Sequence, residues 1–234
     1  MIRWIFKWFL RLATLGVVLF IILLLSLNSI VRVIMEHNIR AQTGMDAEIG
    51  SVELGLTKPT LEIRDLKIYN PPSFGGTLFL DIPEIHAEYN RVAFAEKQVH
   101  LTLLRFDLEE INFVKNQSGR MNIDALAKTP KTKAGTTPAP SLKKSTGYDF
   151  KQIDVLNVSF HKAKYVDLQN PANNREQIIG LQNCVVPNVK SPNDLAGLAF
   201  LIGLRSDHFF DPFLGKSRNS TTLQGILNLF GIML

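Results

Sequence analysis

Cysteine is almost absent: Cys184 is the only one in 234 residues. That excludes an intrachain disulfide framework and any multi-cysteine zinc site, and its distance from the N-terminus excludes a lipid-bearing cysteine there. Beside Val185 and Val186 it reads as a small core hydrophobe. Catalytic signatures are missing as well, with no Gly-rich phosphate loop, no G-x-S-x-G and no H-E-x-x-H. The five histidines, His37, His86, His100, His161 and His208, are scattered, and only Asp207-His208 with Asp211 forms a compact group. Adjacent side chains seldom converge on one ion, and Asp211-Pro212 makes a good turn, so no metal site is expected. Glu109-Glu110 resembles a carboxylate pair, but neighbours on a strand face opposite ways. The sequence assigns no catalytic, metal or cofactor-binding residue, no cofactor is expected, and an enzyme is not expected.

A concentrated basic surface is also missing. The formal charge is +5, yet Lys128, Lys131, Lys133, Lys143 and Lys144 all fall in 128–147, a stretch without an acidic residue. Without those five lysines the 26 basic and 21 acidic residues balance. No basic face interleaved with stacking aromatics remains, so nucleic acid is not an expected partner.

What the sequence does have is one long apolar run. Leu12 to Val31 holds 20 consecutive uncharged residues. As a helix it would be about 30 Å long, the thickness of a bilayer's hydrocarbon core. Arg3, Lys7 and Arg11 precede it, with Trp4 and Trp8 at headgroup depth, while Arg32, Glu36, His37 and Arg40 after it carry no comparable positive excess. The positive-inside rule then gives a cytoplasmic basic tail over 1–11, a transmembrane anchor over 12–33 and everything later across the membrane. Trp8, Leu12, Leu19, Leu25 and Val31 mark the anchor. The run exceeds a signal peptide's apolar region and no small-x-small site follows at once, which favours an uncleaved anchor. Ile34, Met35, Asn38 and Ile39 continue the helical spacing, and Gly44 suits its end.

Beyond Gly44 the period becomes two. The first β segment covers 34–127 and the second 148–190, and both are apolar on one face. The alternation repeatedly changes parity: Leu61-Glu62-Ile63 gives way to Leu66-Lys67-Ile68, Ile82 to Ile85, and Leu103 to Phe106. These switches read as bulges, the first at Arg64-Asp65, in a strongly curved antiparallel meander. Pro83 reads as an edge, a bulge or a strand start. Val92 and Phe94 read as the approach to the next strand. Residues 128–147, rich in Lys, Thr, Pro, Ala and Gly, read as a flexible linker or long surface loop. Asn70-Pro71 and Asn170-Pro171 close their strands alike, a weak internal echo. Ser191-Pro192-Asn193-Asp194 then starts a C-terminal helical segment over 191–234. Leu195, Leu198, Ala199 and Ile202 carry its first helix, and 222–234 a second that docks on the protein's own apolar surface.

Several stretches together resemble a known family. They are Thr43-Gly44-Met45, Ile49-Gly50-Ser51-Val52-Glu53-Leu54, Pro59 to Ile68, Asn70-Pro71-Pro72-Ser73-Phe74, Leu80 to Ile85, Val99-His100-Leu101, and Asn116 to Asn122 with Gly119. This chain resembles AsmA-like proteins of the bacterial envelope, to about Leu126 in degenerate hydrophobic motifs and only in strand rhythm over 153–189. The resemblance implies an inner-membrane anchor, N-terminus cytoplasmic and bulk periplasmic. It also implies a sheet curled into an apolar groove, related to the chorein-type bridges that carry lipids between membranes. The function it implies is phospholipid transport and outer-membrane integrity, without a catalytic residue. The chain is several times shorter than the bridging members.

The expected fold class is therefore mainly β with an N-terminal transmembrane helix: a curved, bulged antiparallel sheet, groove- or taco-like, with two C-terminal helices. Candidate lipid-facing residues are Leu101, Leu103, Phe106, Val158 and Phe160. The expected partners are membrane lipids, with envelope proteins or self-association also open. The rival reading is a non-catalytic envelope scaffold with a closed apolar core.

Overall fold

The computed structural model describes the backbone of residues 2–55, 57–123, 147–207 and 209; within these, the side chains of 2–3, 5–6, 10, 20–25, 42 and 192 are not described. The chain begins with one long helix, α1 (Ile2–Thr43). Gly44 ends it in the left-handed region at φ 69°, its N–H donating to the Arg40 carbonyl at 2.9 Å. Six strands follow: β1 (Asp46–Leu54), β2 (Thr60–Tyr69), β3 (Leu78–Tyr89), β4 (Gln98–Lys115), β5 (Asp149–Asp167) and β6 (Arg175–Val189). Two further helices are α2 (Arg91–Ala95) and α3 (Ala196–Arg205).

The strands form a single open sheet in chain order, β1 to β6. All pairings are antiparallel hairpin pairings except one. β4 and β5 run parallel, Leu101 opposite Ile153 and Phe106 opposite Val158. The all-antiparallel meander expected from the sequence is thus corrected to a mixed sheet. Parallel neighbours need a crossover that carries the chain back to its starting end, and the connection from 116 to 148 is that crossover. The linker expected over 128–147 lies, up to residue 146, outside the described residues.

The parity switches have a common cause. Two residues instead of one separate the core side chains Ile49 and Val52 in β1, Ile63 and Leu66 in β2, Ile82 and Ile85 in β3, Leu108 and Ile111 in β4, and Phe160 and Ala163 in β5. No register shift accompanies the switch between β1 and β2: Ile49 faces Leu66 and Val52 faces Ile63. A bulge needs an extra residue on one strand only. Here β1, β2 and β3 make the same step together, and β4 and β5 share theirs two residues further along the ladder, so the bulge expected at Arg64-Asp65 is instead a crease shared by neighbouring strands. Asp65 turns it at φ 53°. Pro83 lies in the crease within the central strand β3, where the β2–β3 ladder skips from Arg64–Glu84 to Leu66–Ile82; its missing N–H costs no ladder bond there. The result is a continuous apolar face across all six strands.

One local reading changes and another gains a structural basis. Val92 and Phe94 belong to α2, not to a strand: Asn90 Oδ1 accepts from the N–H groups of Val92 at 3.0 Å and Ala93 at 3.1 Å, an N-cap that turns the chain into a helix. The echo between Asn70-Pro71 and Asn170-Pro171 is structural, since each leads into a 3-10 turn, Pro72–Phe74 and Pro171–Asn173, joining two antiparallel strands.

The C-terminal segment begins as its sequence indicates. The Asp194 carboxylate accepts from the Ser191 N–H at 2.8 Å and the Lys190 N–H at 2.9 Å, at the start of the turn leading into α3. Leu195, Leu198, Ala199 and Ile202 are buried in the sheet's own apolar core. The helix expected over 222–234 lies outside the described residues. Among the described residues, no helix is long and apolar enough to cross a membrane; the apolar run 12–31 includes 20–25, whose side chains are not described.

Candidate apolar face and its helical border

Four of the five candidate lipid-facing residues share one cluster. Phe106, Val158 and Phe160 are buried, at 8%, 2% and 4% exposure, and Leu101 is half-buried against them. Leu103 differs: it is half-buried and not part of that cluster. The reason is a true bulge. Tyr89 pairs with Leu101 while Glu88 pairs with Leu103, leaving Thr102 as the additional residue. Leu101 and Leu104 therefore share the core side, and Leu103 falls out of it.

Two helices border the apolar face. α3 contributes the four side chains named above, and beyond it Phe209 meets Phe113 with ring centroids 6.4 Å apart. On the opposite border, α1 lies along edge strand β1, with Val31, Met35 and Ile39 packed against the core. Polar side chains of α1 satisfy backbone groups that an edge strand would otherwise leave open. The Ile49 N–H donates to Glu36 Oε1 at 3.0 Å, the Leu54 N–H to Asn28 Oδ1 at 3.3 Å, and Arg32 Nη1 to the Gly50 carbonyl at 3.4 Å. Arg40 and Asp46 form an ion pair at 2.6 Å. This edge recognition was not read from the sequence; the spacing of Asn28, Arg32, Glu36 and Arg40, each four apart on one helical face, is the signal that carried it.

A cavity of about 250 Å³ lies beside α1, lined by Met35, Asn38, Ile39 and Thr43. It is smaller than the roughly 300–1,000 Å³ of ordinary ligand pockets. It could take part of an acyl chain, not a whole phospholipid.

The other face of the sheet is ionic. Lys162 Nζ lies 3.1 Å from Glu110 and 3.6 Å from Glu109, and Lys164 Nζ donates to Glu110 Oε2 at 2.8 Å. Glu109 and Glu110 thus reach the same lysine, contrary to the strand rule applied to the sequence, because the crease passes between Leu108 and Ile111. Burial pushes the Glu110 carboxyl up, but hydrogen bonds from Lys164, Asn112 and Lys162 outweigh it and hold it below its ordinary value. The hydrogen bond to Glu110 raises Lys162 in turn. His161 lies 3.2 Å from Asp107, and His100 lies 2.9 Å from Asp154, whose carboxyl that contact lowers. Arg105 pairs with Glu84 at 3.4 Å, and Arg64 pairs with Glu62. These are cross-strand and same-strand charge pairs on a wet surface.

Among the described residues, no three His, Cys, Asp or Glu side chains form a group that could hold a metal ion. Of the Asp207, His208 and Asp211 group, His208 and Asp211 lie outside the described residues. Cys184 is half-buried opposite Val158, as its apolar neighbours indicated. Of the anchor residues, Trp8, Leu12 and Leu19 are exposed on α1 at 49%, 62% and 57%, while Val31 is half-buried against the sheet core. The side chain of Leu25 lies outside those described.

No family model matches this chain, and no curated protein or solved structure matches it either.

Proposed function

We propose that the chain is a single-pass protein of the bacterial inner membrane, N-terminus cytoplasmic and bulk periplasmic. In this reading it binds phospholipid acyl chains, or helps pass them, during outer-membrane biogenesis. Residues 12–33 of α1 are the anchor: a 42-residue helix contains the uncharged run 12–31, in which Leu12, Leu15, Val17, Val18, Leu19 and Ile30 are exposed. The observation that carries the lipid reading is the sidedness of the sheet. One face is apolar along all six strands and the other bears ion pairs, and the apolar side is bordered by a helix that continues the anchor. Burying apolar chain against such a face is favourable at about 25 cal/mol per Å². The resemblance to AsmA-like proteins points the same way. Membrane lipids are the proposed partners; envelope proteins or further copies of the chain would supply any longer path.

A second reading has its own observation. Val158 and Phe160 are buried at 2% and 4% exposure in the same core that α3 enters, which fits a closed scaffold on that half of the sheet. Photoreactive residues at Leu101, Phe106, Val158 and Phe160 separate the two. The lipid reading expects acyl crosslinks at Leu101 and Phe106 in native membranes. Crosslinks to protein alone at every position would establish the scaffold instead.

A further inference from the structure

Helix α3 is apolar on every side. Ala196 to Leu204 includes no polar side chain, and Arg205 at its end is its one charged residue. The Arg205 guanidinium is turned back onto the sheet, Nη1 donating to the carbonyls of Gly180 at 2.6 Å and Ile179 at 3.4 Å. Leu198, Ala199 and Ile202 face the core. Phe200, Leu201 and Leu204 form a second stripe on the opposite side, exposed at 55%, 41% and 66%. Gly197 extends this stripe, and a Cβ placed there would meet nothing within 4 Å. A helix that is hydrophobic all round is a buried helix. Among the described residues, α3 has one side packed and one side without a cover.

The chain itself continues from this place. Past α3 it is held at Phe209, which is buried and lies 5.4 Å from the Arg175 guanidinium. Residues 210–234 therefore start at the C-terminal end of α3. Within them 222–234 has no charged side chain, and Leu223, Ile226, Leu227 and Phe230 recur at helical spacing. As a helix that segment would be about 20 Å long, against about 15 Å for α3. Residues 210–221 span up to about 40 Å when fully extended, so the connection reaches either end of the stripe. A partner tethered at this range has an effective concentration in the millimolar range, which a separate second copy does not reach. A membrane surface fits less well, because a helix lying on one keeps a polar, basic face toward water and α3 has no polar face.

We propose that the outer stripe of α3 is the seat of residues 222–234 of the same chain, which pack on it as a helix through Leu223, Ile226, Leu227 and Phe230. Sheet, α3 and C-terminal helix then form three layers, with α3 in the middle and covered on both sides. This goes beyond the lipid reading and does not depend on it: the added layer closes the β6 border of the apolar face whether or not that face holds lipid.

The test uses the full chain with Cys184→Ser, one cysteine in the middle of the stripe, Leu201→Cys, and one in the segment, Leu227→Cys or Asn228→Cys. Oxidation is carried out in the expressing cells before extraction, and electrophoresis separates disulfides within a chain from those between chains. Leu227→Cys is expected to join Leu201→Cys within one chain several-fold more than Asn228→Cys, which lies on another side of the same helix. Equal yields at 227 and 228 would overturn the proposal, since unspecific collision favours no face. Disulfides between chains in preference to the one within a chain would give the stripe to a second copy and overturn it too. A second measurement is maleimide labelling. Phe230→Asp should raise the reactivity of Leu201→Cys several-fold while Ile202→Cys, in the core, stays protected. An unchanged rate at 201 would overturn the proposal, as would quenching of a label at 201 by acyl-brominated lipid, which would give the stripe to the membrane.

Discussion

The backbone N–H of Ile49 donates to the Glu36 carboxylate at 3.0 Å, joining the edge of the sheet to the helix that precedes it. Arg32 supports the same carboxylate from one turn earlier, at 4.0 Å. Helix and sheet are therefore held by polar contacts as well as by Val31, Met35 and Ile39, and the edge strand is closed to other chains. Glu36→Ala should lower the unfolding free energy by about 1 kcal/mol, a hydrogen bond to a charged group discounted for partial exposure. Chemical denaturation of the full chain in detergent would measure it, and the same variant should exchange its Ile49 amide faster.

The buried part of the apolar face should behave as core. Phe160→Ala is expected to cost about 3–5 kcal/mol. Val158→Asp should abolish folding, since the carboxylate would sit between Phe106 and Cys184 with no charge to meet it. The readout is thermal unfolding followed by circular dichroism. A folded Val158→Asp protein would mean that this part of the face opens to solvent or lipid.

The crease makes a paired prediction. A Cβ on Gly50 would stand 2.9 Å from Asp65 Cβ and 3.2 Å from the Arg64 carbonyl oxygen. Gly50→Ala should destabilise by about 1–3 kcal/mol. Asp65→Gly removes the blocking atom and relaxes the positive φ, so the double variant should recover most of that loss. Independent, additive effects would count against direct contact at the crease.

Asp167 gives a pH dependence. Burial works to raise its carboxyl, but hydrogen bonds from Asn173, the Asn170 and Gln169 N–H groups and Lys115 outweigh it and bring it down to about 2. The folded value lies below an unfolded value of about 3.9. Its contribution is thus complete above pH about 4 and is lost as pH falls toward about 2. Asp167→Asn should reduce stability at neutral pH and flatten the acid limb of stability against pH in that window.

Much of this architecture was legible in the residues. Gly44 marked the helix end, the apolar alternation marked the strands, and Ser191 to Asp194 marked the start of the last described helix. The parity switches were visible as well, at Ile63/Leu66 and Ile82/Ile85. Their meaning was not, because a bulge and a crease look identical along one strand and differ only in what the neighbour does. The parallel direction of β5 had no local signal either, since it depends on where the crossover returns the chain. α2 was hidden because Val92 and Phe94 sit two apart, the strand period, while the helix is decided by the Asn90 cap. Leu103 left the apolar face through the bulge at Thr102, which one strand's pattern cannot reveal.

The single parallel pairing also sets where the chain can grow. Leu101 lies opposite Ile153, 52 positions later, whereas each other pair of neighbours is joined by a shorter reversal. Doubling the length of a closed loop adds only about 0.6 kcal/mol of entropy cost. The part of the 116–148 connection that follows the buried Asn122 is therefore the seam at which an extra domain or a tag could be grafted with least penalty to the sheet. It is also the pairing whose formation should limit the folding rate, because two separately formed hairpin units must find each other across it.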